Sequence, residues 1–201
     1  LLEEEGLMEK TVIAFVGDHG EELLDHGALD HARTLHPELI RVPMLIMGPG
    51  ITPMKISSQT STRHMGSTLA RIGGAELSAA KDSIDLSRRD HERAPAVFFR
   101  TDKGGWGSHP KTTILGVRSE GLSFHWAPQT EEEQNVRLYN LSKDPQEMTN
   151  IAALRPLEVE RMKALILTHQ GSWTPDLPNA LEGGARAAEM LRAVGYAGDE
   201  E

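Results

Sequence analysis

Apolar positions fall into a few short runs separated by long polar stretches. The first run, Thr11-Val12-Ile13-Ala14-Phe15-Val16, is followed at once by Gly17-Asp18-His19-Gly20. A Val- and Ile-rich run bounded by turn residues predicts a buried parallel strand. Such a strand delivers the residues after it to the carboxyl edge of its sheet, where open α/β folds bind ligands. Residues 21–38 are dominated by charges and imidazoles. His26, His31 and His36 recur every five residues, which is neither a helix face nor a strand face. This predicts a long functional loop with one helical turn in it.

Leu39 to Met47 is a second apolar run, closed by Gly48-Pro49-Gly50. Pro43 lacks a ladder donor and belongs at the strand start. Thr60, Ser61 and Thr62 offer helix N-caps, Met65, Leu69 and Ile72 have helical spacing, and Gly73-Gly74 stops the helix. Lys81 to Arg93 reads as a polar surface connection and a subdomain boundary. Beyond it the period changes to two. Ala96–Phe99, Lys111–Val117, Gly121–Trp126 and Val136–Leu141 predict strands, with a hairpin across Arg118-Ser119-Glu120. The glycine-rich stretch 102–108 predicts a turn, Leu157 to Leu167 an amphipathic helix, 171–184 a linker and 185–194 a short Ala-rich helix. Domain boundaries follow at 1–92 (α/β), 93–170 (small antiparallel sheet with one helix) and 171–201 (linker and helical tail).

Composition narrows the function. A formal net charge of -9 over 201 residues argues against a nucleic-acid surface. No stretch reaches the roughly 20 apolar residues of a membrane helix. With no cysteine, a disulfide framework and any thiolate metal site are excluded within these residues. The chain opens on what reads as a helix end closed by Gly6, then meets a strand almost immediately. That strand needs parallel partners, so the expectation is that the chain begins inside a domain whose upstream strands are missing.

Five segments, in order, carry a family resemblance. They are Gly6-Leu7 with Thr11-Val12-Ile13 and Gly17-Asp18-His19-Gly20-Glu21; Asp25-His26-Gly27 with His31 and Thr34-Leu35; Glu38-Leu39-Ile40-Arg41-Val42-Pro43 ending in Gly48-Pro49-Gly50; Leu138-Tyr139-Asn140-Leu141 with Asp144-Pro145-Gln146-Glu147 and Asn150; and Leu191-Arg192-Ala193-Val194-Gly195-Tyr196. Together they resemble the C-terminal part of a sulfatase of the alkaline-phosphatase superfamily. The resemblance implies an α/β fold: the second half of an alkaline-phosphatase-like, mostly parallel sheet with helices, followed by a small antiparallel sheet packed with one helix. Four positions depart from the pattern. Gly17 stands where Ser is usual, Ala32 where Gly often follows the His, His36 where Tyr is usual, and Asn140 where Asp is usual.

The chemistry follows from the same residues. Sulfate-ester hydrolysis must stabilise charge spreading over non-bridging oxygens, and a divalent metal does so as Lewis acid and template. The resemblance implies that Asp18 and His19 belong to the metal ligand set, with a further pair of acids upstream. On their own, an acid and an imidazole after a strand also fit a turn acid beside a surface histidine. His31 is the favoured catalytic and substrate-binding residue, a cation facing the sulfate or an acid for the departing alcohol, and His26 is its alternative. Arg33 is a weaker substrate contact. The family's formylglycine nucleophile arises from Cys or Ser in Cys/Ser-x-Pro-x-Arg, a motif these residues lack, so it is expected upstream. The implied ion is Ca2+, or Mn2+ or Zn2+ should the protein be a phosphoester hydrolase or phosphoglycerol transferase of the same superfamily. A non-catalytic truncated module is the other alternative. The expected partners are a sulfated small molecule or glycan and the missing N-terminal half. The expected compartment is periplasmic or extracellular.

Overall fold

A computed structural model describes residues 1–75, 77, 83–88, 94, 96–104, 112–128 and 136–170. The chain divides into two compact units, Leu1–Ile166 and Leu167–Glu201. The linker and helical tail expected over 171–194, the fifth resemblance segment and residues 105–108 of the glycine-rich stretch all lie outside the described residues.

Strand β1 (Ile13–Val16) follows a 3-10 turn at Met8–Lys10. Two short strands, β2 (Glu22–Leu23) and β3 (Leu29–Asp30), pair within the loop, and the expected helical turn is α1 (Pro37–Ile40). Strand β4 (Met44–Met47) then pairs with β1 in antiparallel register, Ile13 opposite Met47 and Val16 opposite Met44. This corrects the expectation of a buried parallel strand. An apolar run signals a strand seeking cover but carries no information about its neighbour's direction. Phe15 and Leu45 are exposed, and all strand pairs among the described residues are antiparallel. The second apolar run is also shorter as a strand than expected, because Leu39 and Ile40 complete α1.

Helix α2 (Arg63–Ile72) lies where the caps and spacing put it, although no side chain of Thr62 caps it. The polar connection after it is not a detached surface segment. Its described residues 83–88 turn back onto α2, where His64 Nδ1 accepts from Ile84 N, Thr68 Oγ1 accepts from Leu86 N, and Leu86 is buried.

The C-terminal sheet has the order β5 (Ala96–Gly104), β6 (Thr112–Ser119), β7 (Leu122–Trp126), β8 (Val136–Asn140). Strand β5 runs on through residues read from sequence as the start of a glycine-rich turn. The hairpin turns at Glu120-Gly121, two residues later than expected. Both residues have positive φ (51° and 78°), the backbone of the two-residue turn whose twist matches paired strands. Register sorts the side chains into two faces. Leu115, Val117, Phe124 and Leu138 are buried on one, and helix α3 (Pro156–Gln170) covers it with Val159, Met162 and Ile166 at helical spacing. Arg161 pairs with Glu120 and Lys163 lies over the Trp126 ring, which fixes the helix on that face.

The other face carries Ile114, Gly116 and Arg118 beside Ser123, His125, Arg137 and Tyr139. The N-terminal loop covers it. Leu35 packs with Ile114, Ala127, Ile40 and Phe99. Gly116 makes room, since a Cβ there would stand 2.8 Å from Leu35 Cδ1.

Candidate active site

The turn after β1 is held by backbone contact with α1. Gly20 N donates to Leu39 O at 2.8 Å, and a Cβ on Gly20 would overlap Glu38 O at 1.8 Å. Only glycine fits this approach. The turn leaves Asp18 and His19 exposed at the end of the strand. Asp18 Oδ1 accepts from His19 N at 2.9 Å, and His19 Nδ1 lies 2.8 Å from Gly20 O. A carbonyl only accepts, so Nδ1 carries the proton and Nε2 keeps its lone pair. Asp18 Oδ2 is 3.9 Å from that nitrogen. Backbone hydrogen bonding at His19 holds the Asp18 carboxyl below its usual value. Its charge and a tautomer fixed by a backbone carbonyl are what a divalent cation requires of such ligands. The pair fits the ion that the resemblance implies.

His31 comes to the same place. Its ring stacks on His19 with centroids 4.4 Å apart. Nδ1 faces Asp30 Oδ1 at 3.0 Å and Glu21 Oε2 at 3.4 Å, which leaves Nε2 on the open side. The backbone around it is unusual, for Asp30 and Ala32 both have positive φ (85° and 66°). The Thr101 hydroxyl donates to the Ala32 carbonyl and ties this bend to β5. Arg33 is exposed.

His26 is elsewhere. It points inward, stacked on His36 with centroids 3.7 Å apart. Its Nδ1 meets Glu38 Oε1 at 2.5 Å and its Nε2 meets the Glu147 carbonyl at 3.2 Å. A carbonyl only accepts, so Nε2 donates, and both ring nitrogens are engaged within the protein.

Beneath the loop lies a buried polar layer that the sequence did not announce. Glu22 is fully buried and accepts from Thr34 Oγ1 at 2.6 Å. Glu147 is also fully buried, and Arg118 donates to its Oε1 at 2.5 Å. His36 Nδ1 and His125 Nε2 each lie 3.4 Å from its other oxygen. Burial pushes the Glu147 carboxyl up, but the nearby His36 and the Arg118 charge outweigh it and hold it down at about 2, with His125 adding to this once it is protonated. Burial drives His125 down to about 3, so the ring is neutral. The missed signal is the polar residue at alternate positions of β6, β7 and β8, opposite an apolar face.

The sulfatase family model matches residues 1–75, which contain Asp18, His19, His26 and His31. Arylsulfatase K of Bos taurus is 26% identical over 163 residues, covering 75% of this chain and 29% of its own length. The chain is similar to sulfatases, with the family match over its first 75 residues. It spans about three tenths of the curated relatives it matches. Among solved structures, a protein in complex with its substrate D-glucosamine-2-N,6-O-disulfate superposes with a TM-score of 0.61 at 20% identity, over 89% of this chain and 38% of that one. A phosphonate monoester hydrolase of Agrobacterium radiobacter gives 0.63 at 20% identity, over 85% and 37%. These likenesses establish the sulfatase-like α/β fold, and its C-terminal antiparallel sheet with one helix stands as expected.

Proposed function

We propose that the full-length protein is a metal-dependent sulfuric ester hydrolase, and that these residues supply part of its metal corner and its leaving-group side. The observation that carries this reading is the clustering of three groups. Asp18 is charged, His19 Nε2 is kept free by the Gly20 carbonyl, and the His31 ring stacks against His19. Asp18 Oδ2 and His19 Nε2 would hold the cation, which polarises the sulfate oxygens when bound. Calcium is the ion the resemblance implies. An imidazole ligand suits Mn2+ or Zn2+ better, and elemental analysis decides among them. The ester's departing oxygen would take its proton from Nε2 of a His31 imidazolium, whose Nδ1–H Asp30 and Glu21 hold, and the ring would be left neutral with its proton on Nδ1. The curated matches named as arylsulfatases favour sulfate over phosphate esters, and a sulfated sugar or aryl sulfate is the substrate class proposed.

The test separates the two histidines in the full-length protein. His31→Ala should lower kcat by on the order of 10²-fold, as loss of one preorganised donor does, with metal content unchanged. The loss should be smaller on an activated aryl sulfate, whose leaving group needs little protonation, than on a sugar sulfate. His26→Ala should chiefly lower the melting temperature, because it empties a packed and hydrogen-bonded site. Near-wild-type turnover by His31→Ala on both substrates would remove His31 from the reaction.

A further inference from the structure

The buried group His36, His125 and Glu147 has the composition of a metal site, with ligand atoms within 4.8 Å of one another. The two 3.4 Å separations around Glu147 Oε2 even match the roughly 3.4 Å edge of a tetrahedron built on zinc–ligand bonds of about 2.1 Å. One contact decides against this. Arg137 Nη1 lies 3.2 Å from His36 Nε2. A guanidinium only donates, so His36 Nε2 must accept and the ring proton sits on Nδ1. His36 Nδ1, 3.4 Å from Glu147 Oε2, therefore carries a hydrogen and offers no lone pair to a metal, although neither atom makes a hydrogen bond. The group is an electrostatic latch built on the Arg118–Glu147 ion pair.

We infer that Glu147 is a positioning residue: its buried carboxylate clamps the 22–38 loop to the C-terminal sheet and thereby holds His31 in place. Every contact runs between these two parts of the chain. From the sheet side come Arg118 on β6, which donates to Oε1, and His125 on β7, which faces Oε2. From the loop side come His36, whose Nδ1 lies 3.4 Å from Oε2, and His26, which donates to the Glu147 carbonyl. His26 is in turn held by Glu38. Glu147 reaches this position because its own φ is +58° and the turn before it is fixed, with Asp144 accepting from the amides of Met148 and Thr149. Glu147 thus joins the His26–His36 stack to the sheet, through its side chain and its carbonyl. At the loop's outer end the Thr101–Ala32 bond supplies a second tie. A displacement of about 1 Å at a reacting group costs on the order of 10²-fold in rate, so the rigidity of this support matters for turnover.

The inference rests on the proposed role of His31 for its kinetic consequence alone, and the experiment keeps the two apart. In the full-length protein, Glu147→Gln keeps the shape and removes the charge. Amide hydrogen exchange across 22–36 should rise by about 10-fold or more, while β6 and β7 keep their protection. With a sulfate ester, kcat should fall by about 10-fold or more with KM nearly unchanged and metal content unaltered. If Glu147→Gln does not fold, His36→Gln leaves Glu147 paired with Arg118 and should release the same amides. Unchanged loop exchange in the variant that folds overturns the latch. So does a stoichiometric metal that is lost with Glu147. Faster loop exchange in a protein that hydrolyses no sulfate ester would keep the latch and sink the proposed function instead.

Discussion

Gly20 shows how little tolerance the loop has at single positions. Its Cα packs against the α1 backbone, and a methyl group there overlaps Glu38 O at 1.8 Å. A main-chain oxygen cannot rotate away as a side chain can, so Gly20→Ala must shift the turn or the helix. Overpacking of this kind costs typically 1–3 kcal/mol. Urea titration of Gly20→Ala should show a loss near the upper end of that range, and an unchanged midpoint would mean the approach is looser than described. The buried layer sets the pH response. His125 titrates at about 3 in the fold against an ordinary 6.5, so the unfolded chain takes up its proton first, and stability falls as pH drops from about 6.5 towards 3. Glu147, held at about 2 against an ordinary 4.5, contributes stability above pH 4.5 that is lost as pH falls through 2. The two add in the same direction. The groups facing them are His36 and His26 with Glu38 from the loop, and Arg118, Arg137 and Tyr139 from the sheet. Melting temperature against pH should therefore decline below about 6.5, and His125→Gln should flatten the profile between 6.5 and 4.5. Parallel profiles for the two proteins would show that His125 takes no part. At this scale the sequence was partly legible. Asp18 and His19 were singled out by their place after a strand and by the family resemblance, and His31 by the motif it heads; the structure brings the three together at one exposed corner. His36, His125 and Glu147 did not stand out, because burial of a charged side chain depends on partners more than 80 residues apart in the chain, such as His36 and His125.

Elements were legible where their own chemistry fixes them. Alternation marked β6, β7 and β8, and caps with helical spacing marked α2. The segment from Leu138 to Asn150 shows why its residue pattern is demanding. Asn140 accepts from Ser142, Asp144 accepts from Met148 and Thr149, and Asn150 accepts from Leu138 N and Ala152 N while donating to Val136 O. Each is a side chain replacing a missing backbone partner, at the point where β8 gives way to the turn and the 3-10 helix Ala152–Leu154. Removing Asn150 strands the amide of Leu138, whose side chain is fully buried. Unpaired buried donors cost about 1–3 kcal/mol each. Asn150→Ala should lose roughly 2 kcal/mol or more by chemical denaturation, whereas Asn140→Ala, in a more exposed turn, should lose less. The reverse order would mean that the side chain of Asn150 is not what closes β8. Strand direction was not legible. The β1 and β4 runs have the same apolar character in either sense, and only the course of residues 17–43 returns β4 antiparallel to β1.

Over the whole molecule, the described residues assemble two things that the sequence kept apart. An exposed corner holds Asp18, His19 and His31, and a buried layer ties the loop carrying them to the C-terminal sheet. No helix among the described residues is long and apolar enough to cross a membrane. These 201 residues contain neither cysteine nor Ser-x-Pro-x-Arg, so in the proposed reaction the nucleophile belongs to another part of the full-length protein. In the proposed reaction this chain would bring a charged ligand, an imidazole with its tautomer set by a backbone carbonyl, and a proton donor on a braced loop. The most direct test is the metal content of full-length Asp18→Ala, measured by elemental analysis beside the wild-type protein. The account predicts that the variant loses its divalent cation, and its sulfate-ester hydrolysis with it. A variant that retains one equivalent of metal would contradict it, since Asp18 would then not be a ligand.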